Sequence, residues 1–341
     1  MTRQGKSKPD WSAKVARVGE ALPPARLHPA VLRWVEKKSG RGAWTVAFSG
    51  GADSLALLHL LWAHWPRQRG KLLALHFNHR LRGRESTADE KFCRSVCTAL
   101  GVRLRVGRWR GARQGASEAE ARAARHLFFA EEMKRRRSRV LWLAHQQDDI
   151  AESMLMRLAR GSGTGGLAAP RPVLVLGDGR THLRPLLTLK KAELVNTLRR
   201  AGIKWREDSS NAGGDYFRNR IRGRVLPAWI KAAGRDALAG AALSRERLEE
   251  DEQALEAWVD ELAPLDRTKR LNLRALAGMP RAVTRRALHR WLLAQKQPSN
   301  LSRQGFEVLL AVVERGWPTR FSLGTRGFGV IGSGKLSFRK G

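Results

Sequence analysis

From residue 43 onward, short runs of consecutive apolar residues alternate with longer stretches of helical periodicity. Residues 43–48 read as a strand and 54–65 as a helix. The same pair repeats at 72–77 and 86–100, at 102–106 and 117–135, and at 140–144 and 148–160. Ser117 and Glu120 have the spacing of a capping box, and Gly101 stands where a helix should stop. Four βα units in succession predict an α/β fold: a parallel sheet with helices on both faces. Such sheets bind ligands beyond the carboxyl ends of their strands, so the loops after Phe48, Phe77, Val106 and Ala144 should converge on one site.

The pattern differs on either side of this block. Residues 1–26 are polar and basic, broken by Pro23-Pro24, and are expected to be a flexible leader before a short helix at 28–38. Residues 161–166 are glycine-rich and 170–179 rich in turn residues. A helix is expected at 190–201, stopped by Gly202, then a loop from 205 that enters a basic helix near 227. Amphipathic helical segments fill 234–315, and 320–339 reads as a small β element. The expected division is a leader with a short helix (1–40), an α/β domain (41–233) and a smaller, mainly helical C-terminal domain ending in short strands (234–341). No internal repeat is visible.

Charge changes the picture. The 341 residues include 65 Lys and Arg against 31 Asp and Glu, a net of +34. Such a field attracts polyanions, nucleic acid first, without distinguishing DNA from RNA; a general bias to arginine or a solubility charge would look the same. Cys93 and Cys97, four apart on a predicted helix, form neither a C-x-x-C pair nor half of a larger metal set, and read as small buried hydrophobes. No apolar run approaches the ~20 residues that span a bilayer. The longest, 55–63, contains His59 and fits a buried helix. The N-terminus lacks an apolar secretory core, although its basic composition also suits an organelle-targeting leader. A cytoplasmic protein with no membrane partner is expected.

The strongest local motif is Ser49-Gly50-Gly51-Ala52-Asp53-Ser54, placed after a strand and at the start of a helix. Two glycines let the backbone approach an anion, the free N–H groups of the helix start point at it, and Ser49 and Ser54 offer hydroxyls. Asp53 suits phosphates only with Mg²⁺ between them. No Gly-Lys-Ser/Thr follows, and G-x-G-x-x-G is missing, so this is neither a Walker A loop nor a Rossmann fingerprint. A plain strand–helix turn is the bland alternative. The run resembles the PP-loop of N-type ATP pyrophosphatases, which cleave ATP between the α and β phosphates and adenylate a substrate oxygen.

Further motifs narrow the resemblance. His76-Phe77-Asn78-His79-Arg80-Leu81-Arg82 follows the second strand, and Glu120-Ala121-Arg122-Ala123-Ala124-Arg125 lies on the third helix. Ala144-His145-Gln146-Gln147-Asp148-Asp149-Ile150-Ala151-Glu152 ends the fourth strand. Arg157-Leu158-Ala159-Arg160-Gly161-Ser162-Gly163, Arg184-Pro185-Leu186, Glu207-Asp208-Ser209-Ser210-Asn211 and Arg218-Asn219-Arg220-Ile221-Arg222 continue the series. Together, over about residues 40–230, they resemble the tRNA(Ile)-lysidine synthases. Asn78 stands where that family has Asp, and Gln146 where it has a second His. By themselves, His76 and His79 could be structural. Arg122 and Arg125 share one helical face and could be a solvated basic face or a phosphate clamp. Asp148 fits a helix cap as well as a metal role. The C-terminal region matches loosely and looks like a short form with one helical domain.

What the resemblance implies is specific. The fold would be that of the adenine nucleotide alpha hydrolase-like PP-loop ATPases. The partners would be a tRNA(Ile) with a CAU anticodon and free L-lysine, with ATP as co-substrate, Mg²⁺ as cofactor and a homodimer as the assembly to test. ATP would be held by Ser49, Gly50, Gly51, Ala52, Asp53, Ser54, His76 and Asn78, with Asp53 and Asp148 as metal ligands. The wobble cytidine, flipped into the site, would be adenylated at O2, and lysine would then displace AMP at C2. Arg122 would stabilise charge on the triphosphate, Asp149 and Glu152 would hold the lysine ammonium, and Arg218 and Arg222 would close over the site or touch tRNA. A tRNA thiolase, a GMP-synthase-like enzyme and a non-catalytic RNA-binding protein are the alternatives. The first would want reactive paired cysteines, the second leaves the charge unexplained, and the third gains from Asn78 and Gln146.

Overall fold

The computed structural model describes residues 11–38, 42–81, 83–112, 117–207, 217–295, 301–324 and 327–341. The chain divides into two units at Glu246 and Arg247.

The first unit is built on a six-stranded sheet of order β3-β2-β1-β4-β6-β5. Its strands are β1 (Trp44–Ala47), β2 (Leu72–Asn78), β3 (Arg103–Arg108), β4 (Val140–Trp142), β5 (Val173–Val175) and β6 (Thr181–Leu183). All pairs are parallel except β5 with β6. β5 falls in the stretch 170–179 read from sequence as turn-rich, and β6 where no element is expected. At three residues each they are too short to show a period, and the turn between them (Gly179 at φ +79°) dominates the local signal.

Helices α3 (Ala52–His64), α4 (Arg84–Ala99), α5 (Glu118–Arg135) and α6 (Gln147–Leu158) follow β1 to β4 in turn. Helix α3 is buried on nearly every side, from Leu55 through Leu61, which is why its sequence is apolar all round. Ser117 and Glu120 do form the capping box of α5: Ser117 Oγ accepts the Glu120 N–H at 3.1 Å, and Glu120 Oε2 accepts the Ser117 N–H at 2.8 Å. Gly101 and Gly202 sit at φ +65° and +66°, past α4 and past α8 (Lys191–Arg200).

The expected flexible leader is not flexible where it is described. Residues 11–21 form α1 (Trp11–Ala21), whose Val15 and Val18 are fully buried in the same core as α3 and α2 (Pro29–Lys38). Ser12, Arg17 and Glu20 face out, and the two valines three apart are enough to seat one face. Residues 1–10 lie outside the described chain, as does the 208–211 part of the Glu207–Asn211 motif.

After α7 (Thr164–Leu167) and α8, residues 217–232 form α9 (Phe217–Arg220), a π-helical turn over Ile221–Val225, and α10 (Leu226–Ala232). α11 (Ala237–Leu262) begins in the first unit and ends in the second. The second unit packs α12 (Arg281–Ala294) and α13 (Arg303–Arg315) with a four-stranded antiparallel sheet. Its order is β7-β10-β9-β8, from β7 (Leu271–Asn272), β8 (Thr319–Ser322), β9 (Phe328–Gly332) and β10 (Lys335–Arg339). Trp291 is the largest side chain of its core. Glu252 and Glu256 of α11 pair with Arg286 and Arg290 of α12. No helix among the described residues is long and apolar enough to cross a membrane.

Candidate active site

β1 is flanked by β2 on one side and β4 on the other, so the strand order reverses between β1 and β4. Loops leaving the carboxyl ends of these two strands diverge and open a crevice. The Ser49–Ser54 loop leaves β1 on one wall; the 145–152 segment leaves β4 on the other.

The loop is held by its own hydroxyls. Ser54 Oγ accepts the Ser49 N–H at 3.2 Å and donates to the Gly51 carbonyl at 3.0 Å, and Ser49 Oγ lies 3.0 Å from Ser54 Oγ. Gly50 has φ +90°, and a Cβ there would meet Cys93 Sγ at 3.0 Å and a Phe92 ring carbon at 3.2 Å. Only glycine serves such a backbone against such a neighbour. Arg206 donates its backbone N–H to the Gly50 carbonyl (3.0 Å) and its Nε to Asp89 (2.7 Å), tying the chain before residue 208 to the loop. Helix α3 starts at Ala52 with no side-chain cap, so its first N–H groups open toward the crevice.

Asp53 lies in the first turn of α3, half-buried. Burial and the neighbouring Asp149 push its carboxyl up to about 6, against the opposing pull of Lys191 and Arg222. Its Oδ1 is buried without a hydrogen-bond partner among the described residues. An orphaned carboxylate oxygen facing a second carboxylate is a donor set that fits a cation. No group of three or more His, Cys, Asp or Glu side chains able to hold a metal occurs among the described residues. Mg²⁺ is commonly held by one or two carboxylates with substrate phosphates supplying the rest, so Asp53 fits that use.

On the opposite wall, Gln146 caps α6. Its Oε1 accepts the Asp148 N–H at 2.5 Å, and Asp149 Oδ2 accepts the Gln146 N–H at 3.0 Å. Asp148 Oδ2 accepts the N–H of Lys191 at 3.0 Å. Asp149 and Glu152, buried on one face of α6, are bound by two guanidiniums from 217–225. Arg218 donates to Asp149 Oδ1 (2.6 Å) and Glu152 Oε2 (2.9 Å), and Arg222 to both Glu152 oxygens (2.6 and 2.9 Å). The π turn that carries Arg222 sits at this contact; such turns recur where a helix must re-aim a side chain.

Beside the α6 wall lies a cluster of arginines from α5 and from the chain after β6. Arg122 is exposed and Arg125 half-buried on α5, and no hydrogen bond or ion pair ties either to a described residue. Burial and the repulsion of Arg122 and Arg218 hold Arg125 down at about 10. Arg184, buried after β6, is likewise held down at about 10 by burial and then Arg122; its Nε donates to His145 Nδ1 at 3.2 Å. Burial and these arginines keep His145 well below its ordinary value and hold His126 and His182 near 4, so all three are neutral at pH 7. Guanidiniums that repel one another and form few ion pairs make a site for a polyanion. Arg184 and His145 stood within the sequence motifs, but nothing in their spacing pointed to this cluster.

His76 and Asn78 lie at the end of β2. His76 is buried, with Nδ1 3.0 Å from the Phe48 carbonyl and 3.4 Å from Cys93 Sγ. Asn78 is buried and donates to the Ser86 carbonyl and to Glu90 Oε2, both at 3.2 Å. Cys93 and Cys97 are free and buried, and burial pushes their thiols up, Cys97 to about 12. They are the small buried hydrophobes the sequence suggested.

The PP-loop domain family matches residues 27–229. The chain is 35% identical over 287 residues to the tRNA(Ile)-lysidine synthase of Bacillus subtilis (strain 168), which covers 80% of this chain and 60% of that protein. To the tRNA(Ile)-lysidine synthase of Pseudomonas syringae pv. tomato it is 37% identical over 285 residues, 79% of this chain and 61% of that one. The chain thus spans about 60% of the length of these curated relatives. Among solved structures, the U34-tRNA thiolase NcsA of Methanococcus maripaludis aligns with a TM-score of 0.54 at 15% identity, over 71% of this chain and 79% of that one. That likeness concerns the fold.

Proposed function

The chain belongs to the PP-loop domain family, and from that premise we propose that it ligates lysine to the wobble cytidine of a CAU-anticodon tRNA(Ile), consuming ATP. The observation that carries the reading is the crevice itself. A phosphate loop after β1 and a buried carboxylate pair on α6, after β4, flank the point where the strand order reverses, and a cluster of mutually repelling arginines stands beside the carboxylates.

ATP lies with its phosphates on the Ser49–Ser54 loop and its γ end toward Arg122, Arg125 and Arg184. The cytosine O2 attacks the α-phosphorus, and pyrophosphate leaves into the arginine cluster, whose positive charge stabilises the developing anion. The ε-amine of lysine then attacks C2, and the C2–O bond to AMP breaks. Asp149 and Glu152 hold the ammonium and accept its proton. Arg218 and Arg222 already satisfy these oxygens, so lysine competes with two guanidiniums for its own site. Mg²⁺ bound at Asp53, with Asp148 nearby on α6, would neutralise phosphate charge. His145, neutral and hydrogen-bonded to Arg184, orients that guanidinium rather than carrying a proton.

The thiolase alternative loses support from the inert Cys93 and Cys97. The deciding experiment is incorporation of radiolabelled lysine into bulk tRNA with and without ATP. ATP-dependent label in the CAU isoleucine tRNA supports the reading. Pyrophosphate release without label would move the second substrate away from lysine, and neither signal would leave an RNA-binding protein.

A further inference from the structure

A second basic cavity opens beyond the carboxyl ends of β2 and β3, and the chemistry above does not use it. It measures about 790 Å³, large enough for a nucleotide unit. Five cations line it (Arg80, Arg84, Lys91, Arg94 and Arg108) against the single carboxylate of Glu90. Glu90 is buried and fully occupied. Arg94 donates to Oε1 through Nε and Nη2 (3.1 and 2.8 Å), Arg108 to Oε1 (2.6 Å) and Oε2 (3.2 Å), and Asn78 to Oε2 (3.2 Å). Its role is therefore internal: it fixes two half-exposed guanidiniums in place. The same network shapes the backbone beside it, because Asn78 Oδ1 accepts the Arg80 N–H at 2.9 Å while Arg80 holds φ +57°. Arg84 and Lys91, exposed two turns apart on one face of α4, form no ion pair among the described residues.

We propose that this cavity binds a phosphodiester of the tRNA strand beside the nucleotide that enters the crevice. Preorganised, half-exposed guanidiniums match phosphate oxygens, and a lysine and an arginine without partners add charge where a strand would run. Asn78 joins the two sites, since it ends the β2 segment assigned to ATP and anchors Glu90. The inference rests on the RNA-modifying reading. It also explains Asn at position 78: an aspartate there would set a second carboxylate about 3 Å from Glu90.

The test compares the full chain with Arg84→Glu and Lys91→Glu, both exposed substitutions outside the Glu90 network. Binding of the CAU isoleucine tRNA is measured by filter retention across a KCl series, alongside the KM for ATP and lysidine formation. Each variant should weaken tRNA binding on the order of tenfold and flatten the log–log salt slope by about one, with the KM for ATP unchanged. Variants that bind within twofold of wild type with the same slope would overturn the proposal, while product formation by the wild type leaves the functional reading standing. A rise in the KM for ATP with tRNA affinity intact would overturn it too, assigning the cavity to nucleotide phosphate. A wild-type chain that neither binds tRNA nor makes product would overturn both.

Discussion

Removing the charge of Asp53 should stabilise the ligand-free chain while ending its activity. Its carboxyl titrates near 6 in the folded protein, against an ordinary value of 3.8. The folded state therefore binds a proton that the unfolded chain releases, and stability falls as pH rises between these values. Linkage puts the cost at about 3 kcal/mol at pH 7.5, where both forms are ionised, and at about half that at pH 5, where the folded carboxyl is mostly protonated. Asp53→Asn escapes this cost but places an amide where Oδ1 has no partner, which returns roughly 1–2 kcal/mol. The net gain at pH 7.5 is about 1–2 kcal/mol, and it should shrink by roughly 1 kcal/mol at pH 5 whatever the amide does. Titrating groups that do not interact with Asp53 cancel between variant and wild type. Urea unfolding followed by tryptophan emission suits the measurement, because nine of the twelve tryptophans lie in the first unit. A variant destabilised equally at both pH values would refute the reasoning. So would a stabilised variant that still releases pyrophosphate at the wild-type rate.

Three further outcomes are expected. Glu152→Gln should lower kcat/KM for lysine by about 100-fold while tRNA-dependent ATP–pyrophosphate exchange persists; loss of exchange would remove Glu152 from the second step. It should also cost about 3 kcal/mol of stability in the same urea assay, because Arg218 and Arg222 lose a charged partner. Arg125→Ala should raise the KM for ATP on the order of tenfold or more without loss of stability, since it relieves repulsion from Arg122 and Arg218; a destabilised variant with normal ATP kinetics would count against the anion cluster. His59→Leu should stabilise by roughly 1–3 kcal/mol at pH 7.5, because both ring nitrogens are buried without partners among the described residues. Burial holds the His59 imidazole at about 3 against 6.5, so only the unfolded chain takes up a proton below 6.5 and the advantage should grow by about 2 kcal/mol at pH 5.

The sequence made the central block of the fold legible because its signals were local. Apolar strand runs, the Ser117–Glu120 box and the glycines after α4 and α8 each act within a few residues. The elements it hid depend on distant partners. Helix α1 stands among polar and basic residues that hide its apolar face, and its burial follows from the face α3 presents. β5 and β6 exist because β4 offers an edge. The site divides in the same way. The phosphate loop and the α6 carboxylates were visible as motifs, whereas the pairing of those carboxylates with Arg218 and Arg222 joins residues 66 to 70 positions apart.

The two departures from the family pattern, Asn78 and Gln146, have physical accounts that leave the proposed chemistry intact. Gln146 is almost fully buried and caps α6 through its amide oxygen, while its backbone N–H fixes Asp149. An acceptor at the helix start is what this position needs, and an amide meets that need without a titrating group. The imidazole that remains, His145, is kept neutral by burial and four arginines, so neither position carries a charge at pH 7. Asn78 gives Glu90 a donor and Arg80 an acceptor through one side chain. A degenerate RNA-binding relic would have no reason to retain the costly half of the site: an Asp53 whose ionisation lowers stability as pH rises toward 6, and arginines that repel one another. Strain of that kind persists where a ligand relieves it, and a nucleotide polyphosphate with a divalent cation would relieve both at once.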